Sequence, residues 1–123
     1  MKVTIDQQIP TAPYEQLRAQ IARQAREGTL PAGYRLPTVR GFAGELGLAA
    51  NTVAKAYRAL EADGVIETRG RNGTFIAAVG GAAEQEAVTA ALEFARRARR
   101  LGLDRDAALT AAEDAVRAVY EAP

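Results

Sequence analysis

The sequence predicts a mainly α-helical protein with one small β-hairpin, followed by a two-helix tail. Three observations lead there. Apolar residues recur at three- and four-residue steps through most of the chain. Two of these helical patterns are short and are joined by a tight turn at Gly47. A β-branched and aromatic stretch is interrupted once, at Gly70-Arg71-Asn72-Gly73.

Tyr14, Leu17, Ile21 and Ala25 mark an amphipathic helix over 14–27, opened by Pro13 and stopped by Gly28. Leu30-Pro31-Ala32-Gly33 is a turn-rich connector. Tyr34-Arg35-Leu36 is extended, because proline excludes the helical region for the residue before it. Thr38 then caps a short helix with Val39, Phe42, Ala43 and Leu46 on one side, ending at Gly47. The next helix, 50–63, sets Val53, Ala56, Tyr57 and Leu60 on one face and Asn51, Lys55 and Arg58 on the other. Asp63-Gly64 closes it. Strands over Val65–Arg69 and Thr74–Val79 then flank a basic tip. Helix, helix-turn-helix and hairpin, in that order, make a winged helix-turn-helix, in which the second helix of the pair lies in the major groove of DNA.

Past Gly80-Gly81 the composition turns alanine-rich, with helices at about 83–101 and 104–121, divided by Gly102 and capped by Asp104. Val88, Leu92 and Ala95 line one; Leu109, Ala112, Val116 and Val119 line the other. So short a pair cannot bury both faces unaided, which calls for a second copy of the chain. Residues 1–79 are therefore expected to bind DNA and 80–123 to dimerise. Arg96, Arg97, Arg99 and Arg100 spread around their helix, either as a solvated face or as partners for Glu113 and Asp114 across the dimer.

Composition narrows the function. At 123 residues the chain has room for one small domain with an appendage. With no Cys and no His, it offers no disulfide, thiolate metal site or imidazole base. There is neither a P-loop nor a carboxylate cluster at metal-ligand spacing, so no enzyme, cofactor or metal is expected. No apolar run suits a signal peptide or a membrane span, which favours the cytoplasm. Net charge is +1 overall, but residues 1–79 hold ten Lys and Arg against seven Asp and Glu, and residues 80–123 hold six against eight. A basic front thus carries an acidic tail.

Leu36-Pro37-Thr38-Val39-Arg40, Glu45-Leu46-Gly47-Leu48, Asn51-Thr52-Val53, Ala56-Tyr57-Arg58-Ala59-Leu60-Glu61, Gly64-Val65-Ile66 and Arg69-Gly70-Arg71-Asn72-Gly73-Thr74-Phe75 together resemble the GntR family of bacterial repressors. The short helical tail resembles its YtrA-like subfamily. That resemblance implies a homodimer on a palindromic operator of double-stranded DNA. Thr38 would bond a phosphate, Arg40 a guanine edge or the neighbouring phosphate, and Asn51, Thr52 and Lys55 would begin the recognition helix beside Arg58. Gly73 would let the hairpin backbone approach the duplex, with Arg71 and Asn72 in the minor groove. Two departures stand out. Where the family commonly has serine and then arginine, this chain has Ala49 and Ala50, losing a helix cap and a base-reading side chain. Relatives fused to a pyridoxal-phosphate domain are a poor match, since the only lysines are Lys2 and Lys55. A winged module that binds protein instead of DNA stays open as the alternative. The residues specify no small-molecule effector.

Overall fold

The computed structural model describes residues 1–78 and 82–121. The chain divides into two compact units, Met1–Val79 and Gly80–Pro123.

In the first unit, helix α1 spans Pro13–Glu27, α2 Val39–Leu46 and α3 Ala50–Ala62. Strands β1 (Ile66–Thr68) and β2 (Thr74–Ile76) pair antiparallel, with Glu67 opposite Phe75. The core gathers one face from each helix. Leu17 and Ile21 of α1 and Val53, Ala56 and Leu60 of α3 are wholly buried, and Phe42 and Ala43 bring in α2. Leu36, Ile66 and Ile76 close the cluster from the extended segments. The faces expected from helical spacing are thus the faces that pack.

The turn between α2 and α3 is held by Gly47, whose φ of +67° places it in the left-handed region that glycine enters without steric penalty. Leu48 N–H then bonds the carbonyl of Ala43 at 3.0 Å. Each helix of the pair begins differently. Thr38 Oγ1 accepts from Gly41 N–H at 3.1 Å, capping α2. Ala49 has the same extended backbone, φ −68° and ψ 146°, but supplies no side-chain cap to α3.

The hairpin departs from expectation at its ends and its edge. Strands expected over 65–69 and 74–79 are shorter, and the tip is a turn of 3₁₀ helix at Gly70–Asn72. Four residues at the tip bend too tightly for ladder geometry, so pairing stops at Thr68 and Thr74, although Arg69 N–H still reaches Gly73 C=O at 2.8 Å. Val79, placed in the second strand by its sequence, lies outside the described residues, as does the Gly80-Gly81 linker. Tyr34–Leu36 is more than extended. It flanks β2 on the side away from β1, with Leu36 N–H bonding Thr74 C=O at 2.8 Å and Ile76 N–H bonding Tyr34 C=O at 2.9 Å.

Residues 1–6, for which the periodicities predict nothing, are laid against α1 by three glutamines. Gln16 accepts from Asp6 N–H at 2.8 Å and donates to Asp6 C=O at 2.9 Å and Thr11 C=O at 2.8 Å. Gln20 holds Thr4 through both its N–H (3.0 Å) and its C=O (2.6 Å). Gln24 donates to Lys2 C=O at 2.7 Å. Between these contacts Val3 and Ile5 turn inward and pack on the core.

In the second unit, α4 spans Ala82–Arg100 and α5 Arg105–Tyr120. Asp104 Oδ1 accepts from Ala107 N–H at 2.8 Å and caps α5. The two helices pack together, burying Ala98 and half-burying Val88, Leu92 and Ala112. Ala95 is exposed, and so are Leu109, Val116 and Val119. Between α4 and α5 runs a largely apolar groove of about 430 Å³, walled by Phe94, Leu103, Leu109 and Ala112. No described helix is long and apolar enough to cross a membrane.

Candidate nucleic-acid interface

The exposed side of the first unit is built on the same helices that make its core. Because Val53, Ala56, Tyr57 and Leu60 face inward, Asn51, Lys55 and Arg58 are turned to solvent, with Thr52 half-buried between them. Arg40 occupies the second position of α2 and is also exposed. Thr38 uses its oxygen as an acceptor within the cap, which leaves its O–H free to donate outward.

Tyr57 ties these two helices together. Its hydroxyl donates to Pro37 C=O at 2.8 Å, so the backbone entering the α2 cap is fixed to the middle of α3. Burial, followed by the neighbouring Tyr34 and Glu45, pushes the Tyr57 hydroxyl well above the ordinary tyrosine range. It stays protonated and keeps donating throughout the physiological range.

At the hairpin tip Arg71 and Asn72 are exposed, while Gly73 is half-buried with φ +114° and ψ −163°. A Cβ at Gly73 would lie 2.8 Å from Arg35 Nε, so the Arg35 guanidinium rests directly on the glycine backbone. Arg69 is otherwise engaged. It pairs with Glu67 and stacks 4.7 Å over the Phe75 ring, inside the hairpin.

Among the described residues, Arg40, Arg58 and Arg71 enter no salt bridge, whereas Arg18, Arg69 and Arg117 are each neutralised by a carboxylate. Unpaired basic groups beside a polar helix face suit a polyanion with regularly spaced phosphates. Lys55 does have a neighbour, though not an acid: its ammonium sits 4.0 Å from the centre of the Tyr14 ring. Sequence reasoning missed Tyr14 as part of this surface, because its helical spacing marks it as core, and missed the perch of Arg35 on Gly73. No signal short of the fold brings either pair together. No group of carboxylates able to hold a metal occurs among the described residues.

A tight helix pair whose second helix presents a polar, basic face, completed by a paired hairpin, defines a winged helix-turn-helix DNA-binding unit. Comparison with known proteins gives the particular family. Residues 13–76 match the family described as bacterial regulatory proteins, gntR family, and the chain belongs to that family of DNA-binding transcription regulators. It is 50% identical over 96 residues to the HTH-type transcriptional regulator Rv1152 of Mycobacterium tuberculosis, covering 78% of each chain. It is 39% identical over 74 residues to the HTH-type transcriptional repressor YtrA of Bacillus subtilis, covering 60% of this chain and 57% of that one. Among solved structures it resembles YtrA from Sulfolobus acidocaldarius, a GntR-family transcription factor, with a TM-score of 0.60 and 32% identity over 63% of this chain and 82% of that one. These likenesses are to transcription regulators and not to enzymes.

Proposed function

We propose that this chain is a cytoplasmic, homodimeric repressor that binds an inverted-repeat operator in double-stranded DNA. Unit Met1–Val79 contacts the DNA and unit Gly80–Pro123 joins two copies. The observation that carries this reading is the exposed polar and basic face of α3, Asn51, Lys55 and Arg58, beside the unpaired Arg40 and Arg71. On it, α3 enters the major groove, with Asn51, Thr52 and Lys55 leading and Arg40 reaching a guanine edge or its phosphate. Thr38 donates to a phosphate. Arg71 and Asn72 reach into the minor groove, with the Gly73 backbone close to the sugar-phosphate chain. Since Ala49 and Ala50 offer no base-reading groups at the start of α3, phosphate contacts supply much of the affinity.

Support for dimerisation comes from the second unit. Val116 and Val119 are 58% and 75% exposed, and with Leu109 they give α5 an apolar side that its own unit does not cover, with the half-buried Ala112 at its margin. Joined through such helices, with Val88, Leu92 and Ala95 of α4 contributing, two copies would set their recognition helices about 34 Å apart, one turn of DNA.

Selection from a random duplex library, followed by titration of the winner at several salt concentrations, tests the reading. The expected result is an inverted repeat bound with steep salt dependence and weakened by Arg40→Ala. Salt-sensitive binding with no enriched sequence would overturn the inverted repeat in favour of a non-specific reader, and binding to no duplex at all would overturn the whole reading in favour of a protein-binding module. Val116→Asp, at an exposed position, should yield monomers in sedimentation equilibrium; an intact dimer would remove α5 from the interface.

A further inference from the structure

We infer that Tyr14 is a positioning residue for DNA binding: its ring holds the Lys55 ammonium beside the start of α1, so that Lys55 meets the DNA backbone rather than a base edge. The inference rests on the function proposed above and adds a residue to it.

Lysine is a poor anchor by itself. Its four-carbon stem is flexible, and its compact charge is strongly hydrated, so an unpartnered lysine on an exposed helix face samples many rotamers. Lys55 is exposed and has no carboxylate partner among the described residues, yet its ammonium lies 4.0 Å from the Tyr14 ring centre, within cation–π range. The ring is a firm platform. Tyr14 is half-buried, packs against the hydrophobic core and occupies the second position of α1. The contact therefore draws the amine across from α3 to the start of α1. A π-face neutralises no charge, so the N–H donors not directed at the ring stay available to a phosphate oxygen. An acid in place of Tyr14 would cancel the charge, and an aliphatic residue would release it. The ring does neither.

The test is a double-mutant cycle with Tyr14→Leu and Lys55→Gln in the full chain, measured on the selected operator and on an unrelated duplex. Tyr14→Phe serves as the conservative control. Tyr14→Leu should weaken both duplexes by roughly two- to fivefold, the range of an exposed cation–π contact. Tyr14→Phe should bind as the parent does, and Tyr14→Leu should add nothing once Lys55→Gln is present. Lys55→Gln should reduce the salt slope by about one. In the free protein, the Lys55 side-chain methylene protons should be shifted upfield by the ring in the parent and in Tyr14→Phe, and should return to ordinary values in Tyr14→Leu.

Absence of that shift in the parent, equal losses by Tyr14→Leu with and without Lys55, or a loss in Tyr14→Phe matching that in Tyr14→Leu would each overturn the inference while leaving DNA binding intact. A parent protein that binds no duplex would overturn the proposed function, and this inference with it.

Discussion

The clearest perturbation concerns the two helix starts that differ by one hydroxyl. In α2, Thr38 Oγ1 takes the Gly41 N–H at 3.1 Å, while the Thr38 carbonyl receives Phe42 N–H at 2.9 Å. In α3, Ala49 has no side-chain acceptor, and its carbonyl is shared: Thr52 N–H bonds it at 3.0 Å and Val53 N–H only at 3.4 Å. The first turn has tightened towards 3₁₀ geometry because the Thr52 amide has nowhere else to go. Ala49 is exposed and already extended, so Ala49→Ser places a hydroxyl where Thr38 carries its own, frees the carbonyl for Val53, and buries nothing. A cap is worth about 1 kcal/mol, less here by whatever the existing Thr52 bond returns. For a unit of this size the melting temperature should rise by up to roughly 4–8 °C in calorimetry, and Thr38→Ala should lower it by about as much. If Thr38→Ala falls as expected while Ala49→Ser leaves the transition unmoved, the α3 amides are already satisfied and the reasoning fails.

Four further outcomes follow from the same geometry. A Cβ at Gly41 would stand 2.9 Å from Thr38 Oγ1, so Gly41→Ala should exchange the cap for helix propensity and be nearly neutral in urea melts, yet stabilise a Thr38→Ala background by about 0.5–1 kcal/mol. Gly73→Ala forces alanine to φ +114° against Arg35, costing about 1–3 kcal/mol, with hydrogen exchange accelerated chiefly across Arg69–Thr74. Gln16→Ala leaves Asp6 N–H and C=O unpartnered in a partly buried site, which should cost about 1–3 kcal/mol and increase exchange at Asp6. Tyr57 is an acid whose folded pKa is raised by burial, so its contribution is complete below the ordinary tyrosine pKa near 10 and is lost as pH rises above it; denaturation at pH 9 and 11 should show a fall that Tyr57→Phe reduces.

Helix faces were legible because a 3.6-residue period is a local property, and Leu17, Ile21, Val53 and Leu60 follow it without interruption. The same wheel that buries Tyr57 exposes Asn51, Lys55 and Arg58, so the outward residues came from the inward ones. Partners that depend on distant chain did not emerge. Proline explains why Tyr34–Leu36 is extended, but nothing near it announces Thr74 and Ile76 as its bonding partners. Gln16, Gln20 and Gln24 have the spacing of a solvated stripe, yet Gln16 and Gln24 are buried. The engagement of Arg69 lay closer to hand, since Glu67 stands two residues away on the same strand face.

The clasp between α1 and residues 1–6 works as a vernier. Glutamines four apart advance about 6.0 Å along a helix, while the alternate residues they grip advance about 6.6 Å along an extended chain. The two scales slip by roughly 0.6 Å at each step. Gln16 and Gln20 each hold both the N–H and the C=O of their partner, but Gln24 bonds only the carbonyl of Lys2. The series ends with α1 itself, since the next position four residues on is Gly28, and sliding the segment by one residue would bring Val3 and Ile5 outward.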